Sequence, residues 1–142
     1  MKERIGINLL KIAALYMLAG LASGMFMAIS KDHTLAGAHS HLTLLGWTTM
    51  AITGVIYIVA PACANSKLAG VHFWLHNIGL PLMIVSLALF EYGNAEAEKF
   101  IGIGSTIVFL SLLVFTINIV KTGSKRTGTV KSGLPEGEYS KV

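Results

Sequence analysis

The chain is poor in charged residues and contains a single cysteine among its 142 residues. Only 13% of the residues are Asp, Glu, Lys or Arg, whereas soluble domains carry about 25%. Hydrophobic residues make up 54%, and the mean hydropathy is +0.67. The composition therefore excludes an ordinary soluble domain and predicts an integral membrane protein. One cysteine, Cys63, also excludes an intramolecular disulfide and a Cys-x-x-Cys thiol oxidoreductase.

Four apolar runs are long enough to cross a membrane, which takes about 20 helical residues. They cover residues 5–29, 35–60, 68–90 and 100–120. We therefore predict an all-α membrane protein with one four-helix transmembrane domain, residues 1–121. The tail, 122–142, is rich in Gly, Ser, Thr and Lys and is predicted to be disordered. The first run is longer than the apolar core of a signal peptide, so we expect a membrane span there.

The distribution of Lys and Arg predicts how the helices are oriented. Positive residues flank the start of the first run, occur at Lys67 in the 61–67 loop, and follow the fourth run from Lys121 onward. The loops 30–35 and 91–99 carry no excess of positive charge. The positive-inside rule predicts that both termini and the 61–67 loop are cytoplasmic. The net charge of +4 suits contact with anionic lipid and requires no nucleic-acid partner.

Histidine is the residue that points to chemistry. Four of the five histidines lie in apolar runs, where an ionisable side chain is costly and by default marks a site. His39 and His41 are two residues apart, so on a helix they point to nearly opposite faces, about 200° apart. They cannot hold one metal ion together, but each could bind a different cofactor. Because every carboxylate lies outside the apolar runs, a small multidrug exporter is excluded.

His72 and His76 form a second pair, four residues apart on the third predicted helix. They share one face and could hold a single ion. Counted by helical rise, His72 lies roughly 20 Å from His39 along the membrane normal, so the two pairs belong to different places. A structural role, with packing against Trp74 and Asn77, is the preferred interpretation. Metal ligation is the alternative, since imidazole binds haem iron, copper and zinc.

Two stretches of the sequence carry a family resemblance, which covers about residues 37–89. The residues of the first are His39, His41, Gly46, Trp47, Gly54, Tyr57 and Pro61, and those of the second are His72, Trp74, His76 and Gly79. The first stretch resembles the tenth helix of haem–copper oxidase subunit I, and the second resembles the helix that follows it there. The closest likeness is to the nitric oxide reductase and high-affinity cytochrome oxidase branches.

The resemblance implies a haem site. In that family the first histidine of the His-x-His binds the high-spin haem, and the second binds the low-spin haem on the other face. Here His39 matches the first and His41 the second, with haem b as the expected cofactor and copper as an alternative. Trp47 and Tyr57, farther along the helix, could line the haem, although packing is the preferred interpretation. The resemblance also implies a multi-pass protein of a bacterial inner membrane.

The chain departs from that family in size. The large subunit has twelve helices, arranged as three arcs of four, whereas this chain has four. The helices that supply the copper ligands are missing, and only His33, in the 30–35 loop, lies near the depth of His39 and His41. One copy therefore cannot form a binuclear oxygen-reducing centre. We expect a homotrimer, with His39 of one copy and His41 of the next holding a haem.

The sequence thus favours a haem-b-binding membrane protein that transfers electrons or binds NO or O2. It would be at most an oxidoreductase, with a redox partner protein, and not a complete terminal oxidase. Two alternatives stay open. One is a non-catalytic assembly subunit of a respiratory complex, and the other is a copper- or zinc-binding membrane protein.

Overall fold

Four long helices make up the computed structural model, which describes residues 4–131. They span Ile5–Ser30, Ala36–Val59, Lys67–Glu91 and Glu98–Lys131. Each contains an apolar stretch long enough to cross a membrane. The structure confirms the all-helical fold and the four predicted spans. The orientation of the termini stays a prediction.

The second helix is not uniform along its length. It is α-helical over Ala36–His41, π-helical over Leu42–Thr49, and α-helical again over Met50–Val59. A π-helix has i to i+5 hydrogen bonds and is rare, and it is frequently found at functional sites. This π-helical segment begins directly after the two histidines. It therefore lies between the candidate ligands and the rest of the helix.

Short elements connect the long helices. Pro61 begins a four-residue helix, Pro61–Ala64, at the first helical position, where its missing N–H costs nothing. Ser66 then caps the third helix, because its Oγ accepts a hydrogen bond from the N–H of Ala69 at 3.2 Å. A single 3-10 turn, Ala95–Ala97, precedes the fourth helix and is capped by Asn94.

The loop after the first helix is closed by local hydrogen bonds. Lys31 adopts a left-handed conformation, with φ of 56°, and ends the first helix. Asp32 Oδ1 accepts hydrogen bonds from the Thr34 hydroxyl at 2.6 Å and the Thr34 N–H at 2.9 Å. These two bonds lower the pKa of the Asp32 carboxyl, the side-chain bond being the larger cause. We call this end of the bundle the 31–35 end; the sequence predicts that it faces outside.

The fourth helix is longer than the apolar run that predicts it. It continues to Lys131, whereas the apolar run ends near residue 120 and a disordered tail was expected from 122. Helical hydrogen bonds join backbone groups and need no apolar side chains, so the end of an apolar run need not end the helix. The rest of the predicted tail, 132–142, lies outside the described residues.

Glycines allow the helices to pack closely in pairs. The first and second helices approach where a Cβ on Gly6 would lie 2.7 Å from the Gly54 carbonyl oxygen. The third and fourth approach where a Cβ on Gly104 would lie 2.6 Å from the Met83 backbone nitrogen. Small residues at such crossings are typical of membrane bundles. The packing leaves large apolar side chains on the outside and buries Thr53, His72, His76, Ser86, Ser111 and Asn118.

Candidate functional site

His39 and His41 lie in the first turns of the second helix, at the 31–35 end, and face different surroundings. His39 is half-buried against the first helix, where its Cε1 would be 3.0 Å from a Cβ on Gly24. His41 is exposed on the surface of the bundle. The separation of the two rings agrees with the opposite-face geometry expected from their spacing. One chain therefore presents one imidazole on each side of this turn.

Each ring has a hydrogen-bond partner at Nδ1. Ser23 Oγ lies 3.0 Å from His39 Nδ1 and 2.8 Å from the Gly20 carbonyl oxygen, so a hydroxyl that donates to the carbonyl is free to accept from Nδ1. The Gly37 carbonyl can only accept, so His41 Nδ1 donates to it at 2.9 Å. The tautomer with its proton on Nδ1 leaves the Nε2 lone pair free for a ligand. Neither Nε2 has a hydrogen-bond partner among the described residues.

Glu91 connects this turn to the third helix. Its Oε2 accepts a hydrogen bond from the Ala38 N–H at 3.2 Å, at the N-terminus of the second helix. Its Oε1 occupies the space that a Cβ on Gly37 would need, so a larger residue there would displace the carboxylate. A carboxylate at a helix N-terminus satisfies a free N–H and is favoured by the helix dipole. The Gly37 carbonyl that accepts from His41 belongs to the same peptide group as the Ala38 N–H. Glu91 therefore stabilises the turn that carries the candidate ligands.

Replacing Glu91 by Ala is therefore expected to destabilise the protein. The Ala38 N–H would lose its partner, which costs about 1 kcal/mol for a capping interaction. Thermal unfolding in detergent, followed by circular dichroism, measures the loss. Glu96→Ala is the matched control, because Glu96 forms only an exposed pair with Lys99 at 2.7 Å, and such pairs contribute little. Equal effects of the two substitutions would contradict the role given to Glu91.

His76 lies one turn from His72 and is fully buried, at 0% exposure. Its Nε2 donates to the carbonyl oxygen of Leu45 at 3.2 Å, across to the π-helical segment. Its Nδ1 lies 3.0 Å from Ser111 Oγ, which is also 2.7 Å from the Val108 carbonyl. Both ring nitrogens therefore have partners, and three helices meet at this side chain.

His72 is 1% exposed and lies farther from the 31–35 end. Its Nδ1 is 3.3 Å from the Tyr57 hydroxyl, and its ring packs 5.1 Å from the centroid of Phe115. Its Nε2 is buried and has no hydrogen-bond partner in the part of the chain that the structure describes. The rings of His72 and His76 are 5.7 Å apart, so the predicted common face is observed.

The structure separates several residues that the sequence analysis considered together. Tyr57 is 1% exposed and packs in the interior beside His72, so it does not accompany His39 or His41. Trp47 is 36% exposed and lies on the surface of the second helix. The expected packing of the third-helix histidines against Trp74 was wrong, because Trp74 is 57% exposed and meets its neighbour Phe73 edge to face. A residue two positions from a buried one faces outward on a helix.

Two interior residues escaped the sequence analysis. Ser111 holds His76, and Asn118 accepts from Ser66 Oγ at 2.7 Å and donates to the Cys63 carbonyl at 3.0 Å. Both lie in the fourth run, where a polar residue among apolar ones was the available signal. Asn118 is 1% exposed and joins the Pro61–Ala64 turn to the fourth helix.

No group of three or more His, Cys, Asp or Glu side chains converges as a metal site within residues 4–131. Comparisons with protein-family models, with curated proteins and with solved structures find no match to this chain. What is shown is a four-span helical membrane protein; its chemistry rests on the side chains themselves.

Proposed function

We propose that this chain is a haem-b-binding membrane protein in which His39 and His41 are the axial ligands. The observation that carries the proposal is the state of the two rings. Each Nδ1 lies within hydrogen-bond distance of an oxygen, of Ser23 or Gly37, and neither Nε2 has a partner among the described residues. Ligating histidines in metalloproteins show this arrangement, because the second hydrogen bond fixes the tautomer and the ring direction.

The direction of the rings favours sites shared between copies. His39 and His41 lie on different sides of one helical turn, so a single chain offers one ligand to each side. A haem with two histidine ligands would then take His39 from one copy and His41 from its neighbour. A closed homotrimer satisfies every such site with one kind of contact. When bound, haem iron supplies one-electron transfer or binding of a small gas such as NO or O2.

The protein's own contribution is to hold and orient the ligands. The hydroxyl of Ser23 and the carbonyl of Gly37 hold the two rings at Nδ1 and fix their directions, which leaves Nε2 for the iron. Glu91 anchors the turn from the third helix. Electron transfer, with a redox partner protein in a bacterial inner membrane, is the activity that such a site would support.

The test is the absorption spectrum of the detergent-purified protein, oxidised and reduced with dithionite. We expect a Soret band and sharp reduced α and β bands, the signature of low-spin haem b with two strong axial ligands. His39→Ala and His41→Ala should each abolish the low-spin spectrum. His33→Ala is the control, since His33 lies at the same end, is exposed, and holds the turn only through its backbone carbonyl.

A protein that stays colourless with excess haem would contradict the proposal. Elemental analysis then separates the two alternatives. Stoichiometric copper or zinc would indicate a metal-binding protein, with His72 and His76 as the candidate ligands. Absence of metal, with stability only beside a larger complex, would indicate an assembly subunit.

A further inference from the structure

The π-helical segment Leu42–Thr49 connects the turn that carries both candidate ligands to the rest of the second helix. An α-helix turns by about 100° per residue. Each extra residue contained in the wider π-helical turns therefore rotates one end of the second helix relative to the other by about 100°. The directions of His39 and His41 relative to the other helices therefore depend on this segment. If it closed into an α-helix, both rings would point elsewhere.

Side chains hold the widened turns in place. Thr48 Oγ1 donates to the Thr43 carbonyl at 3.3 Å, and Thr49 Oγ1 donates to the Leu44 carbonyl at 2.9 Å. Both carbonyls are five residues back, whereas serine and threonine in an α-helix reach three or four residues back. The next carbonyl, of Leu45, accepts from His76 Nε2 at 3.2 Å. Of these three bonds, only the one from His76 comes from another helix.

We propose that His76 is a positioning residue, which keeps Leu42–Thr49 π-helical and so sets the directions of His39 and His41. Its role as a positioner of haem ligands rests on the proposed function; its role in the π-helical segment does not. The ring is fully buried and is held at its other nitrogen by Ser111. It therefore cannot turn away from Leu45 without leaving a buried polar group unpaired, which is costly in an apolar interior.

A disulfide can report the direction of the segment without haem. A Cβ built on Gly20, in the first helix, lies 3.9 Å from Cβ of Thr43, in the π-helical segment. Disulfides join Cβ atoms about 3.5–4.5 Å apart. The reporter protein carries Gly20→Cys, Thr43→Cys and Cys63→Ala. After mild oxidation in detergent, its disulfide-bonded fraction is read from the gel shift of free thiols labelled with maleimide–polyethylene glycol.

In this reporter, His76→Leu is expected to lower the ratio of disulfide-bonded to free protein about tenfold. A change of this size corresponds to the loss of one hydrogen bond to a buried carbonyl. His76→Gln, which restores an N–H at similar reach, should keep the fraction close to that of the parent. His72→Leu is the matched control. It removes an equally buried imidazole from the same helix face, but one whose observed partner is Tyr57 and not the π-helical segment.

An unchanged disulfide fraction in His76→Leu, or an equal fall in His72→Leu, would overturn the proposal. If His76→Leu does not fold, His76→Asn takes its place, because its amide is one methylene shorter than that of Gln. Equal disulfide-bonded fractions in His76→Asn and His76→Gln would then overturn the proposal. Haem is measured separately in chains with native residues 20 and 43. A colourless parent would contradict the proposed function and leave the disulfide result standing.

Discussion

Alanine in place of Gly104 is expected to lower the thermal unfolding midpoint of the detergent-solubilised protein by about 10 °C. The added Cβ would lie 2.6 Å from the backbone nitrogen of Met83 and 2.8 Å from its Cα. Those atoms belong to the backbone of the third helix and cannot rotate away, so the third and fourth helices must separate. Overpacking of this kind costs about 1–3 kcal/mol, and contact with backbone places this case at the upper end.

Gly102→Ala is the control for Gly104→Ala. It lies two residues away on the same helix, is exposed, and would place its Cβ with no atom within 4 Å. Both substitutions gain helix propensity by about 1 kcal/mol, so their difference isolates the helix contact. Circular dichroism during heating measures both midpoints. A midpoint of Gly104→Ala equal to that of Gly102→Ala would show that these helices do not pack as the structure has them.

The close packing at Gly104 was not predictable from sequence, although the four helices were. Composition alone reveals a span, because crossing hydrocarbon requires a long apolar run wherever the helix sits in the bundle. It does not reveal which side of the run faces inward. In a soluble helix the apolar face marks the core, but here the outer surface is apolar as well, and Leu18 and Phe26 are exposed while Ser111 and Asn118 are buried.

The candidate site was predictable from the sequence only in part. The two-residue spacing of His39 and His41 predicts different faces, and the structure places one ring against the first helix and the other on the surface. That argument assumed a regular α-helix. The π-helical segment begins just after His41, so the predicted opposite directions of His39 and His41 are observed. The directions of Trp47 and Tyr57 relative to these histidines could not be obtained by counting residues at α-helical spacing. Hydrogen bonds from Thr48, Thr49 and His76 accompany the widened turns, and the one from His76 is a tertiary contact, which residue counting cannot reveal.

Mixing two defective chains is expected to restore haem that neither chain binds alone. Chains with His39→Ala and chains with His41→Ala, carrying different tags, are expressed together and purified on both tags in turn. If each haem lies between His39 of one copy and His41 of the next, an intact site forms where a His41→Ala chain supplies His39 to a His39→Ala neighbour. Each pure variant should lack the low-spin spectrum, because every one of its sites lacks a ligand.

The amount of restored haem reports the assembly. Around a closed trimer of two kinds of chain there is one junction of the correct order, so mixed trimers should bind about one-third of the haem of the unmodified protein. A mixed dimer would restore about half. Two differently tagged chains that both carry His41→Ala are the control and should bind none. If His39→Ala alone keeps the full low-spin spectrum, the haem is held by His41 of two copies, and the proposed pairing of His39 with His41 is wrong.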